Sequence, residues 1–392
     1  MEAVHLSAVV MTHPNRRAAA EALRVGHPDL DATVVVDPDP DGPPSALRTA
    51  RLAWRAVGAG ATHHLVVQDD MILVDGIAEH ARRAAAALPD RILCLFTEWG
   101  SRTANAVRLA AFEGVSWAPV IDPYIPTAAL LLPAAMAQEL AEFPGTESVP
   151  DDVVLLEYCR VRDLVPLVSV PNLAEHAGSA SLVGNDVVWG PRRSALYGGR
   201  LDRMPALDAT VATPTSVPHL LPWDGYPVSA VPDVRDDPTR THWRSLPTYV
   251  YLASRGVTVE DLFTWFATAT ADLDADREVH TLIGRPLLFQ CWVTLLAYGV
   301  AAADLVPDKA GLEERLSQPL VREGLGTLAP GALQRFVPIP VAERLRDLLD
   351  PFVTSAIRFG HAVCGELAAR APVTPPGAPE ALDAAEPASV PG

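Results

Sequence analysis

Residues 45–73 read SALRTARLAWRAVGAGATHHLVVQDDMIL, and their pattern decides the fold. Ser45 is placed to cap a helix, and Leu47, Ala50, Trp54 and Val57 recur behind it at helical spacing. Gly58 and Gly60 end that helix. His64–Val67 is then an apolar run of strand length that stops at Gln68-Asp69-Asp70. A helix, a glycine break and a strand ending in two acids make part of a βαβ unit.

The same rhythm extends on both sides. Upstream, Leu6–Met11 predicts a strand, Arg16–Val25 a helix and Ala32–Val36 a second strand. Downstream, Asp75 is placed to cap a helix through Leu88, and Arg91–Phe96 predicts a fourth strand. Ala128–Leu132 reads as strand, Pro133 as the first turn of a helix, Asp151–Val161 as helix and Leu164–Val170 as strand. Strands that are apolar throughout and alternate with helices predict an α/β/α sandwich with a mostly parallel sheet, over residues 1–204.

Residues 205–247 hold eight prolines, which exclude long helices and predict a wrapping linker anchored by Trp223, Tyr226 and Trp243. Residues 248–370 turn helical and predict an all-α domain. It opens on a capping box at Thr258–Asp261, with Leu262, Trp265 and Phe266 on one side, and continues in helices around 279–303, 310–323, 331–336 and 341–369. Residues 371–392, with six prolines and almost no large apolar side chain, predict a disordered tail.

Composition bounds the function. The 392 residues carry 31 Lys+Arg against 48 Asp+Glu, a net charge of −17. Phosphate binding needs a basic face, so this balance argues against a dedicated duplex nucleic-acid binder. A hydrophobic content of 49% excludes a mostly disordered chain. Lys309 is the only lysine, which reads as coding bias. The four cysteines show no CxxC or metal-like spacing, and Cys94 and Cys159 read as buried thiols. The N-terminus has no basic n-region and reads as a strand rather than a signal peptide. Leu287–Ala303 is apolar but short of the roughly 20 residues that span a bilayer, and carries Gln290 and Thr294. These features predict a cytoplasmic protein without a membrane span.

In open α/β sheets, ligands bind beyond the carboxyl ends of the strands. Three polar clusters fall there: Thr12-His13-Pro14-Asn15-Arg16-Arg17, Asp37–Gly42 and Gln68-Asp69-Asp70. Carboxylates gathered in one crevice can hold a hard divalent cation that bridges a diphosphate. The plainer reading is that Asp69 and Asp70 start a loop. Likewise, Arg16 and Arg48 can hold phosphate or base, or make ordinary salt bridges. His63-His64 reads as structural, and the acidic run Asp272-Asp274-Asp276 lacks the Glu that completes a calcium loop. No G-x-G-x-x-G follows the first strand, and neither a phosphate-cradling G-x-x-x-x-G-K-[ST] loop nor a G-x-S-x-G elbow occurs.

Over residues 4–185 these motifs, in this order, resemble a GT-A glycosyltransferase. VVMTHPNRR resembles that family's opening nucleotide-binding strand, VVVDP its second strand, and residues 45–73 its Arg-bearing helix, strand and metal-binding DxD element. IPTAALLLPAAMAQEL resembles the acceptor-side strand and helix. VPDDVVLLEY is similar to the acidic helix start that carries a catalytic base, and VPNLAEHAGSASLVGN to the closing segment whose histidine completes the metal site.

The resemblance implies a nucleotide-sugar donor, a UDP-sugar ahead of a GDP-sugar, bound around Thr12, Arg16, Asp37, Arg48 and Asp69. It implies Mn²⁺ or Mg²⁺ at Asp70 and His176, and Asp152, with Asp151 beside it, as the base for the acceptor. Gln68 departs from the pattern, standing where many members have Asp. Two alternatives stand beside this reading. One is a non-catalytic GT-A shell that binds a nucleotide or a protein partner. The other is a sugar-phosphate nucleotidyltransferase, which wants a glycine-rich basic loop where THPNRR has no glycine. Residues 248–370 carry no resemblance, so the acceptor stays unidentified.

Overall fold

β1 (Leu6–Thr12) lies between β2 (Thr33–Val36) and β3 (His63–Gln68), parallel to both, in a computed structural model that describes residues 3–178, 190, 192–233, 242–270 and 277–368. The predicted tail at 371–392, the Asp272–Asp276 run and the SASLVGN stretch at 179–185 lie outside the described residues. The crossovers are α1 (Arg17–Gly26) and α2 (Ala46–Arg55). Ser45 caps α2 by accepting the Arg48 N–H, and Leu47, Ala50 and Trp54 are buried, as their spacing predicts.

The chain continues through β4 (Met71–Leu73), α3 (Ile77–Ala87), β5 (Leu93–Cys94), α4 (Arg102–Glu113), β6 (Trp117–Pro119), β7 (Ala129–Pro133), α5 (Ala134–Glu142), α6 (Asp151–Arg162), β8 (Leu167–Ser169) and β9 (Ala174–His176). Seven strands form one sheet in the order β2-β1-β3-β7-β5-β8-β6. Strands β6 and β7 run against the other five, so the sheet is mostly parallel, as expected. Their reversal leaves no trace in the pattern, because a strand buried on both faces is apolar whichever way it runs.

Several local expectations need correction. α4 and β6 fill a stretch in which no element was predicted, and β4 and β9 form a separate antiparallel pair. These strands are only three residues long, too short for a periodicity to register. Gly76, not Asp75, caps α3, because the turn places that residue at φ 66°, which glycine adopts without strain. Pro133 is the N-cap of α5 rather than part of its first turn.

The chain divides into two compact units, Met1–Ser179 with Arg192–Thr213, and Ala180–Pro191 with Pro214–Gly392. The described part of residues 248–370 is helical, as predicted, but the proline-rich stretch before it is not merely a linker. β10 (Val217–Leu220), β11 (Pro227–Asp233) and β12 (His242–Pro247) form a three-stranded antiparallel sheet there. Pro218 sits on an edge strand, Pro227 opens β11, Pro232 lies one residue from its end, and Pro247 closes β12. At such positions the missing N–H costs the ladder least.

Helices make up most of the remaining described residues of this unit, and Thr258 and Asp261 form the predicted capping box. The helix Arg285–Leu305 is long and apolar enough to cross a membrane, yet 72% of its most apolar window is buried inside the protein. It crosses the helix Ile339–Ala368 at Gly299 and Gly360. A Cβ on either glycine would overlap a main-chain carbonyl of the other helix. Only hydrogen at these two positions lets the backbones approach so closely.

Candidate functional site

Parallel register sets Met11 beside both Val35 and Gln68, so the residues that follow come together at one end of the sheet. The Thr12 hydroxyl donates to Asp69 Oδ2, and the Asp37 N–H donates to the Thr12 carbonyl at 2.9 Å. Arg16 lies in the single turn Pro14–Arg16 that follows β1. Its Nη1 is 2.9 Å from Asp70 Oδ2 and 3.3 Å from Asp69 Oδ1.

Both acids are buried. Burial pushes the Asp69 carboxyl up, although Thr12 and Arg16 oppose it. Burial also raises Asp70, but its contact with His176 and the Arg16 and Arg192 charges outweigh that, leaving it lowered to about 2. The two neighbours thus differ because Asp70 collects more positive charge.

His176 reaches the site through the pairing of β4 with β9, where it faces Met71, and the Ala177 N–H donates to the Asp70 carbonyl at 2.8 Å. His176 Nε2 is 3.3 Å from Asp70 Oδ2, without an aligned hydrogen bond. Its Nδ1 accepts the Gly178 N–H at 3.1 Å, so the proton of the neutral ring sits on Nε2. To ligate a metal through Nε2, the ring must move that proton to Nδ1 and give up the Gly178 bond.

Two residues of this neighbourhood escaped sequence reasoning. Glu175 is buried and accepts the N–H groups of His176 (2.9 Å) and Ser194 (2.7 Å), together with Arg200 Nη2 (2.9 Å). It thereby fastens the 192–200 segment to β9, and Arg192 in that segment adds its charge to the field at Asp70. The only sequence signal was a lone Glu beside His176 in the segment VPNLAEHAG.

Asp37 and Arg48 pair as a fork. Nε is 2.9 Å from Oδ1 and Nη2 is 3.0 Å from Oδ2, while Nη2 also donates to the Asp39 carbonyl at 2.6 Å. The Arg48 bond holds the Asp37 carboxyl below its ordinary range, against the effect of burial. At the opening of α6, burial raises the Asp151 carboxyl against the Thr127 hydroxyl. Burial and the adjacent Asp151 push the half-buried Asp152 up to about 7. The Ile125 N–H donates to the Asp152 carbonyl at 3.4 Å and the Ala128 carbonyl accepts the Gln68 N–H at 2.9 Å, so the segment 125–128 runs from the start of α6 to the end of β3.

The structure therefore joins Thr12, Arg16, Asp69, Asp70 and His176 in one cluster. It places the Asp37–Arg48 fork at the next strand end, and joins Asp152 to the end of β3 only through the segment 125–128. Among the described residues, no group of three His, Cys, Asp or Glu side chains is arranged to cage a metal. Asp70 Oδ1, however, is buried without a hydrogen-bond partner. That donor set fits a cation held by Asp70 that takes its remaining oxygens from a diphosphate and water, the usual mode for Mg²⁺.

No family model matches the chain, and no curated protein matches it.

Proposed function

We propose that the chain is a metal-assisted glycosyltransferase of GT-A type, moving a sugar from a nucleoside-diphosphate donor to an acceptor hydroxyl or amine. The observation that carries this reading is the meeting of three parallel strand ends at Thr12, Asp37 and Asp69, with Arg16 and the buried Asp70 beside them. Open α/β sheets take nucleotides beyond strand ends of this kind.

A divalent cation bound at Asp70 would offset the charge on the departing diphosphate. The rest falls to the chain's own residues. Arg16 offers a guanidinium suited to paired phosphate oxygens, and Thr12 holds Asp69 in place. If the reaction inverts configuration, the acceptor oxygen bonds the anomeric carbon as the bond to the diphosphate breaks, and its proton passes to Asp152. A carboxyl held near pH 7 is well matched to that transfer. Asp151 sets the Asp152 carboxyl by its charge and has no direct part in the step.

The test is a panel of nucleotide sugars with Mn²⁺ or Mg²⁺, read as donor hydrolysis and thermal shift. Cation-dependent turnover of one donor supports the reading. Divalent-dependent UDP or GDP binding without turnover favours a non-catalytic nucleotide-binding shell, a reading that Gln68 at the start of the acidic element also supports.

A further inference from the structure

Asp69 and Asp70 already carry a counter-ion. Arg16 spans both carboxylates, and its side chain is 16% exposed against 7% for each acid. Asp69 Oδ1 faces Arg16 and Oδ2 accepts from Thr12, while Asp70 Oδ2 faces both Arg16 and His176. Of the four carboxylate oxygens, only Asp70 Oδ1 is buried without a hydrogen-bond partner. A divalent cation arriving alone therefore meets one open oxygen and a guanidinium that repels it. An anion meets the opposite situation. Arg16 lies where the turn Pro14–Arg16 runs into α1, and the dipole at such a helix start favours negative charge. Phosphate oxygens accept the guanidinium fork as well as carboxylates do.

We propose that Arg16 is an electrostatic latch on the acidic pair. A diphosphate draws the guanidinium away from Asp69 and Asp70, and the vacated oxygens then accept the divalent cation, so that the two bind as a couple. This inference rests on the reading of the crevice as a diphosphate site. The latch itself is a property of three side chains and is measurable without any sugar transfer.

The test is Mn²⁺ binding to the full chain, followed by the electron paramagnetic resonance of free Mn²⁺. The wild-type chain should bind Mn²⁺ alone weakly. Arg16→Gln should bind it at least about tenfold more tightly, and the added Asp70→Asn should remove that gain. In EDTA, Arg16→Gln should bind UDP at least about tenfold more weakly than wild type. Equal Mn²⁺ affinities in wild type and Arg16→Gln, or equal metal-free UDP affinities, overturn the latch. Should Arg16→Gln fail to fold, the wild-type chain decides. Its Mn²⁺ affinity must rise at least about tenfold under saturating UDP, after allowance for the Mn²⁺–UDP complex in solution, and an unchanged affinity overturns the proposal. A latch that passes these tests in a chain that transfers no sugar refutes the glycosyltransferase reading alone.

Discussion

Thr12 Oγ1 and Asp69 Oδ2 share a hydrogen bond between residues 57 positions apart, and it ties the end of β1 to the end of β3. Both residues are buried. Thr12→Val keeps the shape and removes the donor, leaving a buried carboxylate oxygen unsatisfied. The expected cost is about 1–3 kcal/mol in urea unfolding at pH 7.5. The loss should shrink on acidification, as Asp69, whose carboxyl burial holds above its ordinary range, takes up a proton.

Asp70→Asn keeps the volume of the side chain and removes the hard anionic ligand. Donor turnover should fall by at least about a hundredfold, with an unchanged far-UV circular dichroism spectrum. EDTA should produce a comparable loss in the wild type. Turnover that survives both treatments would leave arginines alone to carry the diphosphate.

Asp152 gives a pH signature with a definite sign. Its folded value, about 7, lies above the ordinary 3.8, so the folded chain holds a proton that the unfolded chain has released between those values. Its contribution to stability is present at low pH and is lost as pH rises through about 7. Asp152→Asn should therefore raise Tm at pH 8 more than at pH 5, while abolishing the rise of turnover across neutral pH. Melts at the two pH values, paired with a rate profile, check both.

His64 works in the opposite direction. Nδ1 is 2.7 Å from Ser7 Oγ and Nε2 is 2.8 Å from the Ala53 carbonyl, and burial lowers its proton affinity below 6.5. Its contribution is complete above the unfolded value and is lost as pH falls through the folded one. His64→Gln should cost about 1–3 kcal/mol at pH 7.5 and flatten the acid side of the stability profile. Denaturant unfolding from pH 5 to 7.5 reads both effects.

Gly299→Ala should destabilise the second unit by about 1–3 kcal/mol or more, because the new methyl overlaps the Ile357 carbonyl on the crossing helix. Hydrogen exchange should show faster opening in helices Arg285–Leu305 and Ile339–Ala368, with β1–β3 unchanged.

What the sequence disclosed follows from physics that is local. The strand ends at Thr12, Asp37 and Asp69 were legible because apolar runs stop abruptly at polar residues, and parallel neighbours then align those stops. The Thr258 capping box was legible because its partners are three residues apart. The pairing of Arg16 with two acids, the Arg48 fork on Asp37 and the anchoring of residues 192–200 by Glu175 are long-range, and no spacing rule encodes them. Strands β10–β12 were hidden because prolines read as breakers unless their place in the ladder is known.

Met71 and His176 face each other about a hundred positions apart along the chain, a separation that makes their pairing slow to close. A ribosome completes the acidic strand end long before it supplies the histidine strand. Arg16, Asp69 and Asp70 all lie within the first seventy residues, whereas His176 and Arg192, which also bear on Asp70, come more than a hundred positions later. The setting of the two acids is thus drawn from two distant stretches of chain, and a chain cut between them keeps the acids and Arg16 but lacks the histidine strand.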